Sequence, residues 1–217
     1  GSRAVGTNTR AQGVNAFADG QNASASGTGS RAVGFNAIAQ GVNAYAEGRN
    51  VVALGTGATA LGYNTNVLAM GTDSFADGSD VTAIGAQSSA VGINTLAVGT
   101  GASAASEFSM AVGYNALANN RNAIAIGPDS QATAKNALAT GLGAKASGTN
   151  SMAVGGRSSA EFYQSTALGY KAKTKRAYEV AVGTSKSIYR MPGLSGSKGS
   201  GFVGSRYQNY GKKKFVT

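Results

Sequence analysis

Histidine and cysteine are missing from this 217-residue chain, and so is tryptophan. That excludes thiol and imidazole nucleophiles, imidazole acid–base catalysis, Cys/His zinc sites and disulfide staples. Chemistry would fall to nine carboxylates. Eight of them (Asp19, Glu47, Asp73, Asp77, Asp80, Glu107, Asp129 and Glu161) are scattered rather than paired, so their spacing shows no glycosidase-like dyad. The stretch GLGAKASG (141–148) lacks the Gly-Lys-Ser/Thr ending and the following helix of a phosphate loop. Neither an enzyme nor a cofactor is expected. Recognition remains: Tyr45, Phe75 and the segments EFSM (107–110) and EFYQ (161–164) set rings among small residues. There they serve either as receptor anchors or as gap fillers between subunits.

Composition narrows the class. Gly is 33 residues but Pro only 2, which excludes collagen-like and Pro-rich chains. Charged residues are 13%, too few for charge-driven disorder. No run of 18 apolar residues exists, so no helical membrane span is expected, and the N-terminus carries no charged-then-apolar export signal. The chain is therefore either cytosolic or a mature fragment of something larger. Residues 1–170 hold eight basic and eight acidic side chains, while 171–217 hold eleven basic ones against Glu179 alone. A basic end suits nucleic acid or an anionic surface. No nucleic-acid motif accompanies it, so a solubilising or subunit-pairing boundary segment is the preferred reading.

The elements that would position these residues follow from a repeat. Cut in sevens, the chain reads GSRAVGT, NTRAQGV, NAFADGQ and onward, with one nine-residue unit, NTNVLAMGT (64–72), to Thr184. The fourth position is Ala in all units but one, where it is Thr174, and the sixth is usually Gly. A coiled coil needs large apolar a and d residues, and a Gly every seven residues would cost a helix about 1 kcal/mol each time. Small residues at positions 2 and 4, with variable ones at 3 and 5, predict a strand of about five residues, and Gly followed by Asn predicts a tight corner.

From Phe108 onward the true period is fourteen. Met110/Val112, Ile124/Ile126, Leu138/Thr140, Met152/Val154, Thr166/Leu168 and Val180/Val182 form an apolar set. Leu117/Asn119, Gln131/Thr133, Lys145/Ser147, Ser159/Glu161 and Lys173/Lys175 form a mostly polar one. In the N-terminal half the alternation is expected to blur, with Ile38, Val52 and Phe75 out of pattern and a bulge near 64–72. The expected fold is all-β, a parallel solenoid of 14-residue coils stacked to roughly 60 Å. A continuous aliphatic stripe left bare would aggregate. Self-association of parallel copies on a common axis buries it, and the spacing leaves two or three copies open.

Units such as FSMAVGY, NAIAIGPDS, NSMAVGG and QSTALGY resemble the head repeats of trimeric autotransporter adhesins, the YadA-like head, over residues 1–184. The resemblance implies a left-handed parallel β-roll, a homotrimer, and a place on the bacterial surface, anchored in the outer membrane through parts outside this chain. It places Met110, Val112, Ile124, Ile126, Leu138, Met152, Val154, Leu168, Val180 and Val182 at the trimer interface. YEVAVGTSKSIYRMPG (178–193) resembles the family's neck, which makes 178–217 a basic neck-like segment with Arg176, Lys186 and Arg190 as its cations. Residues 194–217 show no heptad and suit an insertion-type neck or a link to another domain.

A collagen-binding motif of some members, Asn-Ser-Val-Ala-Ile-Gly-x-x-Ser, is similar to residues 122–130. It makes Asn122, Ile124, Ile126, Gly127 and Ser130 candidate ligand contacts, although the motif nearly coincides with the structural repeat itself. Implied partners are extracellular matrix (collagen, fibronectin, laminin) or an immunoglobulin-family host receptor, not nucleic acid. A ligand-free trimeric spacer remains the alternative. A solenoid ice binder would need a regular Thr ladder, and Thr here is scattered.

Overall fold

The computed structural model describes residues 1–63 and 65–188. Its strands are two to five residues long. They pair in parallel at a spacing of 14 residues, as in Arg3↔Phe17 and Met110↔Ile124. Successive strands join alternate sheets until the last coil. Among the described residues one sheet has twelve strands, from Arg3–Thr7 to Ser159–Ala160. The other has thirteen, from Arg10–Gln12 to Val180–Val182. The chain is thus an all-β parallel solenoid whose 14-residue coils each give one strand to each sheet.

The alternation of side chains decides what lies between the sheets. Second and fourth positions point inward, and the interior is an almost unbroken stack of Ala from Ala16 to Ala172, with Ser or Thr at some second positions. A methyl-deep core keeps the sheets close, and each Ala buries little apolar surface. Larger aliphatic residues enter the described core only near the nine-residue unit, as Val51, Val67 and Val81. Gly62 makes room for them: a Cβ there would stand 2.8 Å from Val51 Cγ2 and 3.0 Å from Val67 Cγ2.

The nine-residue unit stretches one coil without changing its phase. Val67 pairs with Val51 and Phe75 with Thr59, each 16 residues apart, and the 14-residue spacing resumes afterwards. Of the three residues expected out of pattern in the N-terminal half, Ile38 and Val52 fit it and Phe75 does not. Ile38 and Val52 pair with each other on the thirteen-stranded sheet, in the same ladder that leads to Met110 and Ile124, while Phe75 lies on the opposite sheet. The strands keep alternating between the sheets through the nine-residue unit because its two extra residues fall at a corner, between Thr59–Gly62 and Val67–Met70, and not within a strand.

Strand length also departs from the expected five. In the twelve-stranded sheet, five-residue strands such as Arg31–Phe35 carry Gly at the sixth position. Where Ser106, Asn120, Ala134 and Phe162 take that place, the strands shrink to two residues, as does Lys145–Ala146, where Gly148 does not take the positive φ of the other sixth positions. The sixth-position backbone takes a positive φ that L side chains rarely adopt. At Gly34, with φ 124°, a Cβ would sit 2.9 Å from the Gly48 carbonyl carbon one coil on. Without Gly the ladder cannot pass through that point.

The corner that enters the thirteen-stranded sheet is built by Asn. Asn22, Asn36, Asn50, Asn122, Asn136 and Asn150 all take the left-handed conformation, φ 54–58°, which Asn tolerates better than other non-Gly residues. Their side chains stack as an amide ladder. Asn22 Nδ2 donates to Asn36 Oδ1 at 3.0 Å and Asn36 Nδ2 to Asn50 Oδ1 at 2.9 Å. Asn122 repeats this to Asn136, and Asn136 to Asn150, at 2.9 and 2.8 Å. At the opposite corner buried Ser hydroxyls donate to the carbonyl three residues back, as Ser88 does to Gly85 at 2.8 Å.

Candidate adhesive surfaces

Every third- and fifth-position side chain points outward, so each sheet offers one flat face. On the thirteen-stranded sheet the outward residues from Ile38 to Val182 include no charged one. This apolar face holds the ten residues expected at a subunit interface. Met110, Val112, Ile124, Leu138 and Val154 are half-buried against their neighbours along the stack, and Ile126, Met152, Leu168, Val180 and Val182 are exposed. Beside the nine-residue unit the face dips into a shallow groove lined by Ile38, Val52, Leu68 and Thr82, with Asn36 and Asn50 on its rim.

The candidate ligand motif lies on this same face. Ile124 and Ile126 point outward from Ile124–Ile126, Asn122 stands in the amide ladder, and Gly127 turns the corner with φ 121°. Ser130 points the other way. It is 0% exposed inside the roll, and its hydroxyl has no hydrogen-bond partner among the described residues. Asn122, Ile124 and Ile126 are therefore the side chains of the motif that a ligand could reach from outside, and the two isoleucines belong to the aliphatic stripe as well.

The face of the twelve-stranded sheet holds charged residues among Val, Leu and aromatic ones, and it carries a feature that unit-by-unit reading missed. Third positions of its first four coils are Arg3, Phe17, Arg31 and Tyr45, which alternate along one ladder. The Arg31 guanidinium lies 5.5 Å from the Phe17 ring centroid and 5.4 Å from that of Tyr45, and Arg3 caps the column at 6.0 Å from Phe17. Such contacts are worth about 0.5–1 kcal/mol each where exposed. The Tyr45 hydroxyl donates to the Glu47 carboxylate. Stacking the sequence at fourteen from residue 1 would have exposed this column. Phe75 occupies the same ladder two coils beyond Tyr45.

Toward the last coils the polar face becomes cationic. Lys145 and Lys173 sit two coils apart with Ser159 between them. Lys173 Nζ lies 3.8 Å from Glu161, one of two ion pairs among the described residues, the other being Arg121 to Glu107 at 3.7 Å. Glu161 is held below the usual carboxylate range, first by the Ser159 hydroxyl that donates to it at 2.8 Å, then by the Lys173 and Lys145 charges. In the last coils Glu179 accepts the backbone N–H groups of Lys175 and Arg176 at 2.6 and 3.1 Å, and Thr174 is buried with its hydroxyl on Ser165 at 3.2 Å. Arg176 and Lys186 are exposed, while Arg190 and the segment 194–217 lie outside the described residues. No group of three or more His, Cys, Asp or Glu that could hold a metal ion occurs among the described residues.

The repeats match the family described as YadA head domain repeat (2 copies), in successive copies over residues 11–37, 32–58, 53–67, 68–88, 90–116, 118–144 and 146–172. A solved structure, the collagen-binding domain of the Yersinia adhesin YadA, is 25% identical over 87% of this chain and 78% of that one, with a TM-score of 0.23. No curated protein matches the chain. With the repeats matched over most of its length, on a parallel solenoid whose corners and core they explain, the chain belongs to the YadA head domain family, the non-catalytic head repeats of trimeric autotransporter adhesins.

Proposed function

We propose that the chain is the head of a bacterial surface adhesin, assembled as a parallel homotrimer through its apolar face and attaching the cell to host extracellular matrix or a host surface receptor. The observation that supports this is the contrast between the two faces. One is uncharged and mostly aliphatic over the outward positions from Ile38 to Val182, with Gln40 and three Thr among them, and the other carries the charges and the Arg–aromatic column. A bare aliphatic face of that length needs a cover. Parallel copies cover it in register, because the 14-residue spacing is the same in each. Three copies then repeat every outward contact, and a weak contact gains avidity. In the whole protein an outer-membrane anchor outside this chain would hold the head at the cell surface. Arg176, Lys186 and Arg190 would close the trimer at the neck.

Within this reading Ile124 and Ile126 serve assembly, and the polar face meets the ligand. The Ile126→Asp variant tests the assembly. Light scattering should show the mass falling from trimer to monomer, and an unchanged mass would remove Ile126 from the interface. Binding of the intact trimer to collagen, fibronectin, laminin and immunoglobulin-family ectodomains tests adhesion. Saturable binding to one of them is expected. Binding to none, with the trimer intact in the same sample, would make the head a spacer.

A further inference from the structure

Charge is segregated along the axis of the roll as well as between its faces. Residues 1–120 hold four basic and six acidic side chains, whereas residues 121–188 hold nine basic and three acidic ones. None of the nine cations lies on the apolar face. Lys145, Lys173 and Lys175 occupy outward positions of the polar side, and Arg121, Lys135 and Arg176 follow at the corner where its strands end. Glu161 is the one carboxylate at those outward positions from Gln131 to Lys175, and a single ion pair, Lys173–Glu161, engages it.

We infer that this neck-proximal half of the polar face binds a linear sulfated polysaccharide laid along the roll axis. Three features select that partner. First, the cations recur at coil spacings of about 4.8 Å and its multiples, as a column that suits a chain of regularly repeated anions. Secondly, the outward positions between them are Gln131, Thr133, Ser147 and Ser159, short polar groups that can hydrogen-bond sugar hydroxyls. Thirdly, the stretch has no aromatic at those positions on which a nucleobase could stack, and no apolar wedge that could enter a bilayer. The nearest rings lie beyond those positions: Phe162 follows Glu161 where the strand has ended, and Tyr163 and Tyr178 pack edge-on against each other at the corner with centroids 5.5 Å apart.

The inference rests on the reading that the apolar face is covered by other copies, which leaves the polar face outward. The test uses the full chain on a surface bearing immobilised heparin, with its mass measured in the same sample. Binding should weaken on the order of tenfold or more between 50 and 200 mM salt, as when a few fixed cations displace counterions from a polyanion. The triple variant Lys145→Gln, Lys173→Gln, Lys175→Gln should lose about as much again, whereas the same three positions changed to Arg should retain binding. The double variant Arg3→Gln, Arg31→Gln at the far end should bind as the parent does. Unchanged binding by the triple Gln variant would place the polyanion on residues 189–217 and overturn the assignment. Equal binding to desulfated heparin, or tighter binding to single-stranded RNA or phosphatidylserine vesicles, would overturn the choice of partner. A monomeric mass with heparin binding intact would instead fault the assembly and leave this surface standing.

Discussion

Asparagine at the first position of a unit meets two demands at once. It takes a left-handed backbone at modest cost, and its amide both donates and accepts along the stack. Asn36 shows both, with φ 54°, an acceptor for Asn22 at 3.0 Å and a donor to Asn50 at 2.9 Å. The demands separate by substitution. Asn36→Gly keeps the backbone and loses the ladder, at about 1 kcal/mol per bond lost. Asn36→Ala loses both and should cost roughly a further 1 kcal/mol for the φ. Thermal unfolding of the two variants should therefore rank Ala below Gly, and equal midpoints would remove the backbone contribution.

The coil carries a different kind of constraint. Its interior is one methyl deep, so it has nowhere to put extra volume. Ala111→Leu should destabilise by about 1–3 kcal/mol through overpacking, while an outward change such as Thr140→Val should cost little; denaturant titration of both compares them. At this scale the chain was largely legible before its structure. Ala at the fourth position of all units but one and the recurrent Gly at the sixth announced strand and corner, and the ladder from Met110 through Ile124 to Leu138 followed from counting. Two things were not legible. The phase of the N-terminal half was hidden because outward residues there are less uniformly aliphatic, so Ile38 and Val52 looked misplaced although their inward neighbours kept register. The Arg3–Phe17–Arg31–Tyr45 column was hidden because its partners lie 14 residues apart and alternate in chemistry. Ser130 shows the converse: a match to a sequence motif names a residue without saying which side of a strand it faces.

In the whole molecule each coil touches the coils before and after it, so stability accumulates along the stack. The core adds little per coil, and burial of the aliphatic face in an assembly would add more. Association then links stability to concentration. The midpoint of thermal unfolding should rise as the chain is concentrated and should lose that dependence in the Ile126→Asp variant. A concentration-independent midpoint in the parent chain would place the whole of its stability within one roll.

The two-face coil also governs how such a gene can change in length. Duplication of 14 residues adds one strand to each sheet, lengthens the roll by about 4.8 Å and leaves every later residue on its own side. Duplication of seven does not. It sends each later strand to the opposite sheet, turning Lys145 and Lys173 into the aliphatic face and Ile124 and Leu138 out of it. Tandem slippage of 42 nucleotides is therefore a silent adjustment of reach, whereas slippage of 21 inverts the molecule from that point onward.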